Sequence, residues 1–134
     1  MTTAITLPEG APEEVITHAL VRDVDLAPFG GKGSLALITL DNGLDHTRPN
    51  TFGPQSVAAL DAAITDAASR KPAAIAITGK PFIFAAGADL SALSYLAKRE
   101  QALAIGKLGH DVFRRLNEIG IPTFAFINGL ALGG

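Results

Sequence analysis

Two glycine-rich segments contain the residues whose types and spacing could do chemistry. They span residues 84–90 (FAAGADL) and 128–134 (NGLALGG), and each lies between a strand-like apolar run and an expected helix. Small residues let a ligand approach the main chain, and backbone N–H groups at a helix start attract negative charge. Two such donors directed at one point would form an oxyanion hole. The alternative is a pair of tight strand-to-helix turns without chemistry.

The overall composition excludes several other kinds of chemistry. The formal net charge is -2 with both signs scattered, so nothing indicates binding to nucleic acid or to an anionic membrane surface. There is no cysteine, which excludes disulfides and thiolate chemistry. The three histidines, His18, His46 and His110, lack the spacing of metal ligands, so we expect no metal site.

The N-terminal segment does not resemble a targeting signal. Residues 1–19 contain Glu9, Glu13 and Glu14 instead of the basic start and apolar stretch of a signal peptide. No apolar run in the sequence is long enough to span a membrane. We therefore expect a cytoplasmic protein without membrane insertion.

Apolar periodicity predicts alternating strands and helices. Strands are expected at 18–26, 34–40, 73–78 and 123–127, the first two as a hairpin and the last buried on both faces. Helices are expected from Pro54 to about residue 68, over 90–97, and over 100–119. The inner side of the last helix is predicted to carry four apolar residues, Leu103, Leu108, Val112 and Leu116.

This alternation predicts an α/β fold with parallel strands after the hairpin. Ligands of such sheets bind beyond the carboxyl ends of the strands. We therefore expect residues 34–40, 73–78 and 123–127 to share one sheet, with both glycine segments converging at the same end of it.

The chain divides into a polar leader, residues 1–17, and one incomplete domain, residues 18–134. A hydrophobic fraction of 48% and a charged fraction of 18% are typical of a globular core. The sequence stops inside the second glycine segment, directly after a strand and a turn. We therefore interpret it as a fragment of a longer parent protein.

The order and spacing of four motifs resemble the enoyl-CoA hydratase/isomerase (crotonase) family. The motifs are ITG at 77–79, FAAGADL at 84–90, IP at 121–122 and NGLALGG at 128–134, and the match extends from about residue 34 to the end. Residues 50–52 (NTF) are similar to the family's Asn-Ala-Leu step. The Asn-Thr pair is more like long multifunctional β-oxidation enzymes, in which a hydratase domain precedes a 3-hydroxyacyl-CoA dehydrogenase domain.

The resemblance implies a spiral of ββα units, here truncated at its C-terminal end, that binds acyl-CoA thioesters. It also implies a parent that assembles as a homo-oligomer, usually a trimer or a pair of trimers. Carried over residue by residue, it assigns the two oxyanion-hole amides to Ala88 and Gly134. The residues implied to lie along the pantetheine and thioester of the substrate are Ala86, Gly87, Asp89 and Leu90.

The family's two catalytic glutamates come after the second glycine segment, so no glutamate of this chain inherits their role. The resemblance therefore implies the acyl-CoA-binding half of an enoyl-CoA hydratase, inactive on its own. Isomerase, decarboxylase or dehalogenase chemistry would use the same oxyanion hole, and a non-catalytic acyl-CoA-binding or assembly segment is the remaining alternative. No separate cofactor is expected because coenzyme A is part of the substrate; NAD would be needed only if a dehydrogenase domain follows.

Overall fold

The computed structural model describes residues 9–91, 95 and 98–133. A short 3-10 turn at Ala27–Phe29 joins the first two strands. The longer elements, in chain order, are β1 (His18–Asp25), β2 (Ser34–Asp41), α1 (Pro54–Ser69), β3 (Ala74–Gly79), β4 (Phe82–Ala85), α2 (Arg99–Glu118), β5 (Thr123–Phe126) and β6 (Gly129–Ala131). The expected helix over 90–97 falls largely outside the described residues.

A four-stranded mixed sheet in the order β1-β2-β3-β5 forms the centre of the fold. The first two strands make an antiparallel hairpin, with His18 opposite Asp41, and β2, β3 and β5 run parallel. The predicted hairpin of β1 and β2 and the predicted common sheet of β2, β3 and β5 are therefore confirmed. Their parallel direction brings the carboxyl ends of β2, β3 and β5 to one edge.

A second, two-stranded parallel sheet pairs β4 with β6, and sequence analysis treated both segments as parts of turns. A Cβ added to Gly129, whose φ is +154°, would lie 2.1 Å from the carbonyl oxygen of Phe82. Only a residue without a side chain lets the two backbones approach this closely. Strands of four and three residues with a glycine at the pairing point are too short to show alternation.

The main core lies between α1 and the sheet. Helix α1 contributes Val57, Leu60, Ile64 and Ala67, all buried against the sheet. Helix α2 packs on α1, where the guanidinium of Arg115 pairs with Asp61. The predicted inner side of α2 is confirmed for Leu108, Val112 and Leu116, which pack against the core. The prediction is wrong for Leu103, which is 56% exposed. The residues of α2 that pack against the core begin at Leu108, after Leu103.

Strand β5 was expected to be buried on both faces, and this expectation is wrong. All four of its residues are exposed, and Phe124 and Phe126 stack on each other with their ring centroids 6.5 Å apart. The reason is its position: β5 is an edge strand of the described sheet, whereas α1 contacts chiefly β1 and β2.

Glu14 and Thr17, two residues of the predicted leader, are buried against the start of α1. The carboxylate of Glu14 accepts hydrogen bonds from the backbone N–H groups of Gln55 and Ser56, each at 2.9 Å, and from the Ser56 hydroxyl. The Ser56 hydroxyl oxygen in turn accepts from the N–H of Thr17. Glu14 thus supplies the helix cap that Gly53, at the N-cap position, lacks. The domain boundary at residue 17 stays a prediction.

Replacing Glu14 with alanine is expected to lower the free energy of unfolding by about 1–3 kcal/mol, the range of a lost helix cap and of hydrogen bonds to a buried charge. Glu13→Ala is the matched control, because Glu13 is the exposed neighbour, and it should change stability by less than about 0.5 kcal/mol. Urea denaturation followed by circular dichroism measures both. Equal effects of the two substitutions would contradict the capping role.

Candidate active site

The first glycine segment, residues 84–90, forms a turn after β4, which we call the first glycine turn. It is held by residues 50–52, which we call the strap. The N–H of Ala86 donates to the carbonyl of Asn50 at 2.8 Å, and Phe52 exchanges backbone hydrogen bonds with Gly87 and Asp89, each at 2.9 Å. Phe52 and Ala88 thereby form a parallel β-bridge. In a parallel bridge, Phe52 bonds to the residues on either side of Ala88, and the N–H and C=O groups of Ala88 itself point the other way. The N–H of Ala88 consequently points away from the strap.

The second glycine turn is anchored by the side chain of Asn128. Its Oδ1 accepts from the N–H of Gly79 at 3.1 Å, and its Nδ2 donates to the carbonyls of Gly79 and Lys80 at 3.1 and 2.8 Å. These bonds hold the chain leaving β5 against the end of β3. The turn therefore starts from the same sheet edge as β4.

The two glycine turns meet at Gly87 and Gly133. Leu132 donates its N–H to the carbonyl of Ala85 at 3.0 Å. Gly87 and Gly133 have φ values of +77° and +87°, and a Cβ added to Gly133 would lie 2.9 Å from the Cα of Gly87. The predicted convergence of the two segments is confirmed for the described residues.

The six residues assigned to the site by resemblance have different surroundings. Ala88 is exposed, Ala86 and Gly87 are half-buried, and Leu90 is 67% exposed. Asp89 is half-buried, and its carboxylate accepts from the N–H of Ser91 at 2.9 Å. Gly134 lies outside the described residues. The roles of all six stay predictions.

An apolar cavity of about 190 Å³ lies beside both turns. Its walls include Gly87 and Gly133 from the turns and the rings of Phe52, Phe84 and Phe113. Phe52 and Phe113 meet edge to face with centroids 5.9 Å apart. Sequence analysis did not predict Phe113 in this place, because on α2 it does not fall on the expected inner side.

A second cavity, of about 280 Å³, lies between the loop that follows β2 and the Asp89–Ser91 turn. Its walls include Asn42, Leu44 and Arg48 of the loop. They also include Asp89, which is predicted to bind the substrate. Unlike the first cavity, it carries charged side chains of both signs.

Lys80, which sequence analysis missed, holds the loop beside this second cavity. The side chain is buried, and its Nζ donates to Oδ1 of Asn42 and to the carbonyl oxygens of Leu44, Asp45 and Arg48 at 2.5–2.9 Å. Hydrogen bonds from the hydroxyl and N–H of Thr47 lower the pKa of Asp45. A lysine directly after a buried strand was the available signal.

The described part of the chain contains no helix that is long and apolar enough to cross a membrane. Over the same residues, no group of three or more His, Cys, Asp or Glu side chains is arranged to hold a metal ion.

The substitution Gly87→Ala is expected to lower the free energy of unfolding by at least about 1 kcal/mol, because a side chain is strained at positive φ. The added Cβ would also lie 3.2 Å from Gly133. Gly106→Ala is the control: a Cβ there meets no atom within 4 Å, and in a helix the change should stabilise by about 0.5–1 kcal/mol. Thermal denaturation gives both values. A neutral or stabilising Gly87→Ala would contradict the close contact of the turns.

Comparison with known proteins places this geometry in a family. The family model for enoyl-CoA hydratase/isomerase matches residues 30–134. The fatty acid oxidation complex subunit alpha of Shewanella loihica is 38% identical over an alignment of 112 positions, which covers 75% of this chain and 16% of that protein. The chain thus spans only a small part of this curated relative.

Solved structures give the same result for the fold. An enoyl-CoA hydratase/isomerase family protein from Pseudomonas syringae superposes with a TM-score of 0.61 at 26% identity, covering 71% of this chain and 38% of that one. Two solved structures of one Mycobacterium tuberculosis protein, named an enoyl-CoA isomerase and a probable enoyl-CoA hydratase, give TM-scores of 0.60 and 0.61 at 28% identity, with coverages of 78% and 40%. The predicted truncated crotonase-like α/β fold is therefore confirmed, and the chain belongs to the enoyl-CoA hydratase/isomerase (crotonase) family.

Proposed function

We propose that this chain is the acyl-CoA-binding part of an enoyl-CoA hydratase that acts in fatty acid degradation. The parent enzyme, meaning the full-length protein that carries this chain, adds water across the C2–C3 double bond of a trans-2-enoyl-CoA. The observation that carries the proposal is the meeting of the glycine turns at Gly87 and Gly133, together with the direction of the Ala88 N–H. The family match and the name of the Shewanella relative support it.

In the proposed mechanism, the backbone N–H groups of Ala88 and Gly134 donate to the thioester oxygen. As the water oxygen bonds to C3, the water gives up one proton to a base, and the electrons of the C2–C3 double bond move toward the thioester oxygen to form an enolate. C2 then takes up a proton from an acid, which completes the addition. Both donors are part of the main chain, so they need no rearrangement as the charge develops, and loss of one such donor costs about a hundred- to a thousandfold in rate.

Substrate binding is assigned to the residues beside these donors. Ala86, Gly87, Asp89 and Leu90 would lie along the thioester and pantetheine, and the cavity at Phe52 and Phe113 offers apolar contact close to the first turn. The acid–base groups would come from the part of the parent enzyme that follows residue 134. Hydration needs no separate cofactor, NAD would serve only a dehydrogenase domain, and we expect the parent to be a homo-oligomer.

Enoyl-CoA isomerisation is the second candidate, because two solved structures of one M. tuberculosis protein similar to this chain name it an enoyl-CoA isomerase and a probable enoyl-CoA hydratase. A 3-enoyl-CoA would lose a proton from C2, form a dienolate held by the same two amides, and regain a proton at C4. Assays of the parent enzyme with a trans-2-enoyl-CoA and with a 3-enoyl-CoA separate the two reactions. Hydroxyacyl-CoA appears from the first substrate only if the enzyme is a hydratase.

Replacing Ala88 with proline in the parent enzyme is expected to lower kcat by about a hundred- to a thousandfold, because it removes the proposed donor. Ala88→Ser is the matched control, since it keeps the backbone N–H and should remain close to wild type. Circular dichroism and the Kd for an acyl-CoA show whether the proline variant still folds and binds. A folded, binding Ala88→Pro enzyme with normal turnover would remove this amide from the oxyanion hole.

The chain of residues 1–134 alone is expected to show no hydratase turnover. The glutamates that move the protons in the family are not among its motifs, and Phe124 and Phe126 leave apolar surface exposed. Product formation from a trans-2-enoyl-CoA, followed by chromatography, measures this. Turnover that an Ala88→Pro substitution in the fragment abolishes would overturn the expectation.

A further inference from the structure

We propose that Asn50 is the positioning residue for the first oxyanion-hole donor. Its buried side chain fixes the strap against which Ala88 is aligned, and so determines which amide of the first turn faces the substrate. This inference rests on the function proposed above, because it assigns Asn50 a role in the same oxyanion hole.

The side chain of Asn50 joins two sheets at the site. It is completely buried, and its Nδ2 donates to the carbonyl of Leu40 at 2.9 Å and to that of Phe84 at 3.2 Å. Its Oδ1 accepts from the N–H of Asn42 at 3.1 Å. Leu40 belongs to β2 and Phe84 to β4, so one amide group links the strap to both sheets.

The main chain of Asn50 extends this link to the first turn. Its carbonyl accepts from the N–H of Ala86 at 2.8 Å, two residues after the Phe84 carbonyl that receives its side chain. The Phe52–Ala88 bridge continues this parallel pairing two residues further along both segments. Asn50 therefore holds β4 and the turn at two successive points, which sets the register of the bridge.

Register decides the direction of the Ala88 amide. Successive residues of a paired strand direct their backbone groups alternately toward and away from the partner. A shift of one residue would turn the N–H of Ala88 into the strap and direct that of Gly87 or Asp89 outward. The contacts of the Asn50 amide with the carbonyls of Leu40 and Phe84 fit the observed register, because they tie the strap to two strands at once.

The test is Asn50→Asp in the parent enzyme. Aspartate has the same shape and keeps the acceptor for Asn42, but it replaces the Nδ2 donor with an oxygen that faces two carbonyl oxygens. We expect kcat for hydration to fall about ten- to a hundredfold. This decrease is no larger than the one expected when a whole oxyanion-hole donor is removed. The Kd for a saturated acyl-CoA should stay within about threefold of wild type, because the fully buried Asn50 presents no surface to a ligand.

A spectroscopic measurement separates positioning from a general loss of stability. Hydrogen bonds to a thioester oxygen lower its C=O stretching frequency, so the infrared band of a bound saturated acyl-CoA, labelled with ¹³C at the carbonyl, reports the donors directly. Asn50→Asp should shift this band back toward its position in water. Ser56→Ala is the control: Ser56 is also buried and hydrogen-bonded, but at the start of α1, and the band should stay in place.

The remaining outcomes each decide the proposal. A folded Asn50→Asp enzyme with a wild-type band position and kcat would overturn it. If that variant does not fold, Asn50→Ser removes the same donor without adding a charge and takes its place. Failure of both variants to fold would assign Asn50 to the fold and overturn the positioning role. A wild-type parent without hydratase activity would instead refute the proposed function, while the infrared band still tests Asn50.

Discussion

The contact between Gly87 and Gly133 is the constraint on which the arrangement of the site depends. The two backbones approach so closely there that a Cβ added to Gly133 would lie 2.9 Å from the Cα of Gly87, nearer than Cβ atoms come to such neighbours in proteins. Both residues also have positive φ, which glycine adopts without strain. The pairing of β4 with β6 leads directly into this approach, and both glycines line the apolar cavity.

Polar side chains hold the irregular segments that regular secondary structure leaves open. At the carboxyl edge of the sheet, the buried Asn50 binds backbone groups of β2 and β4, the buried Lys80 binds the loop after β2, and Asn128 binds residues 79 and 80. A buried backbone group without a partner costs about as much as a lost hydrogen bond. These side chains therefore stabilise the turns and loops and also restrict them to one geometry.

Sequence periodicity predicted the elements whose burial follows a regular pattern. The hairpin, α1, the strands β2 and β3, and the last helix all agree with the structure because one face of each packs on a continuous core. Periodicity failed where position in the sheet decides burial, as at Phe124 on the edge strand, and where a strand is only three residues long, as in β6. Of the site, glycine spacing predicted the two turns, whereas the strap pairing and Lys80 depend on contacts between residues distant in sequence.

The oxyanion-hole donor proposed at Ala88 is a main-chain N–H group, and its response to pH therefore differs from that of a side-chain donor. An amide does not ionise anywhere in the range in which proteins stay folded, so its capacity to donate to a thioester oxygen is the same in acid and in alkali. The described residues of the first turn contribute a single titratable side chain, Asp89, and its carboxylate is engaged with the N–H of Ser91. In the proposed mechanism the Ala88 donor itself therefore adds no pH dependence to turnover, unlike the groups that carry protons to and from the substrate.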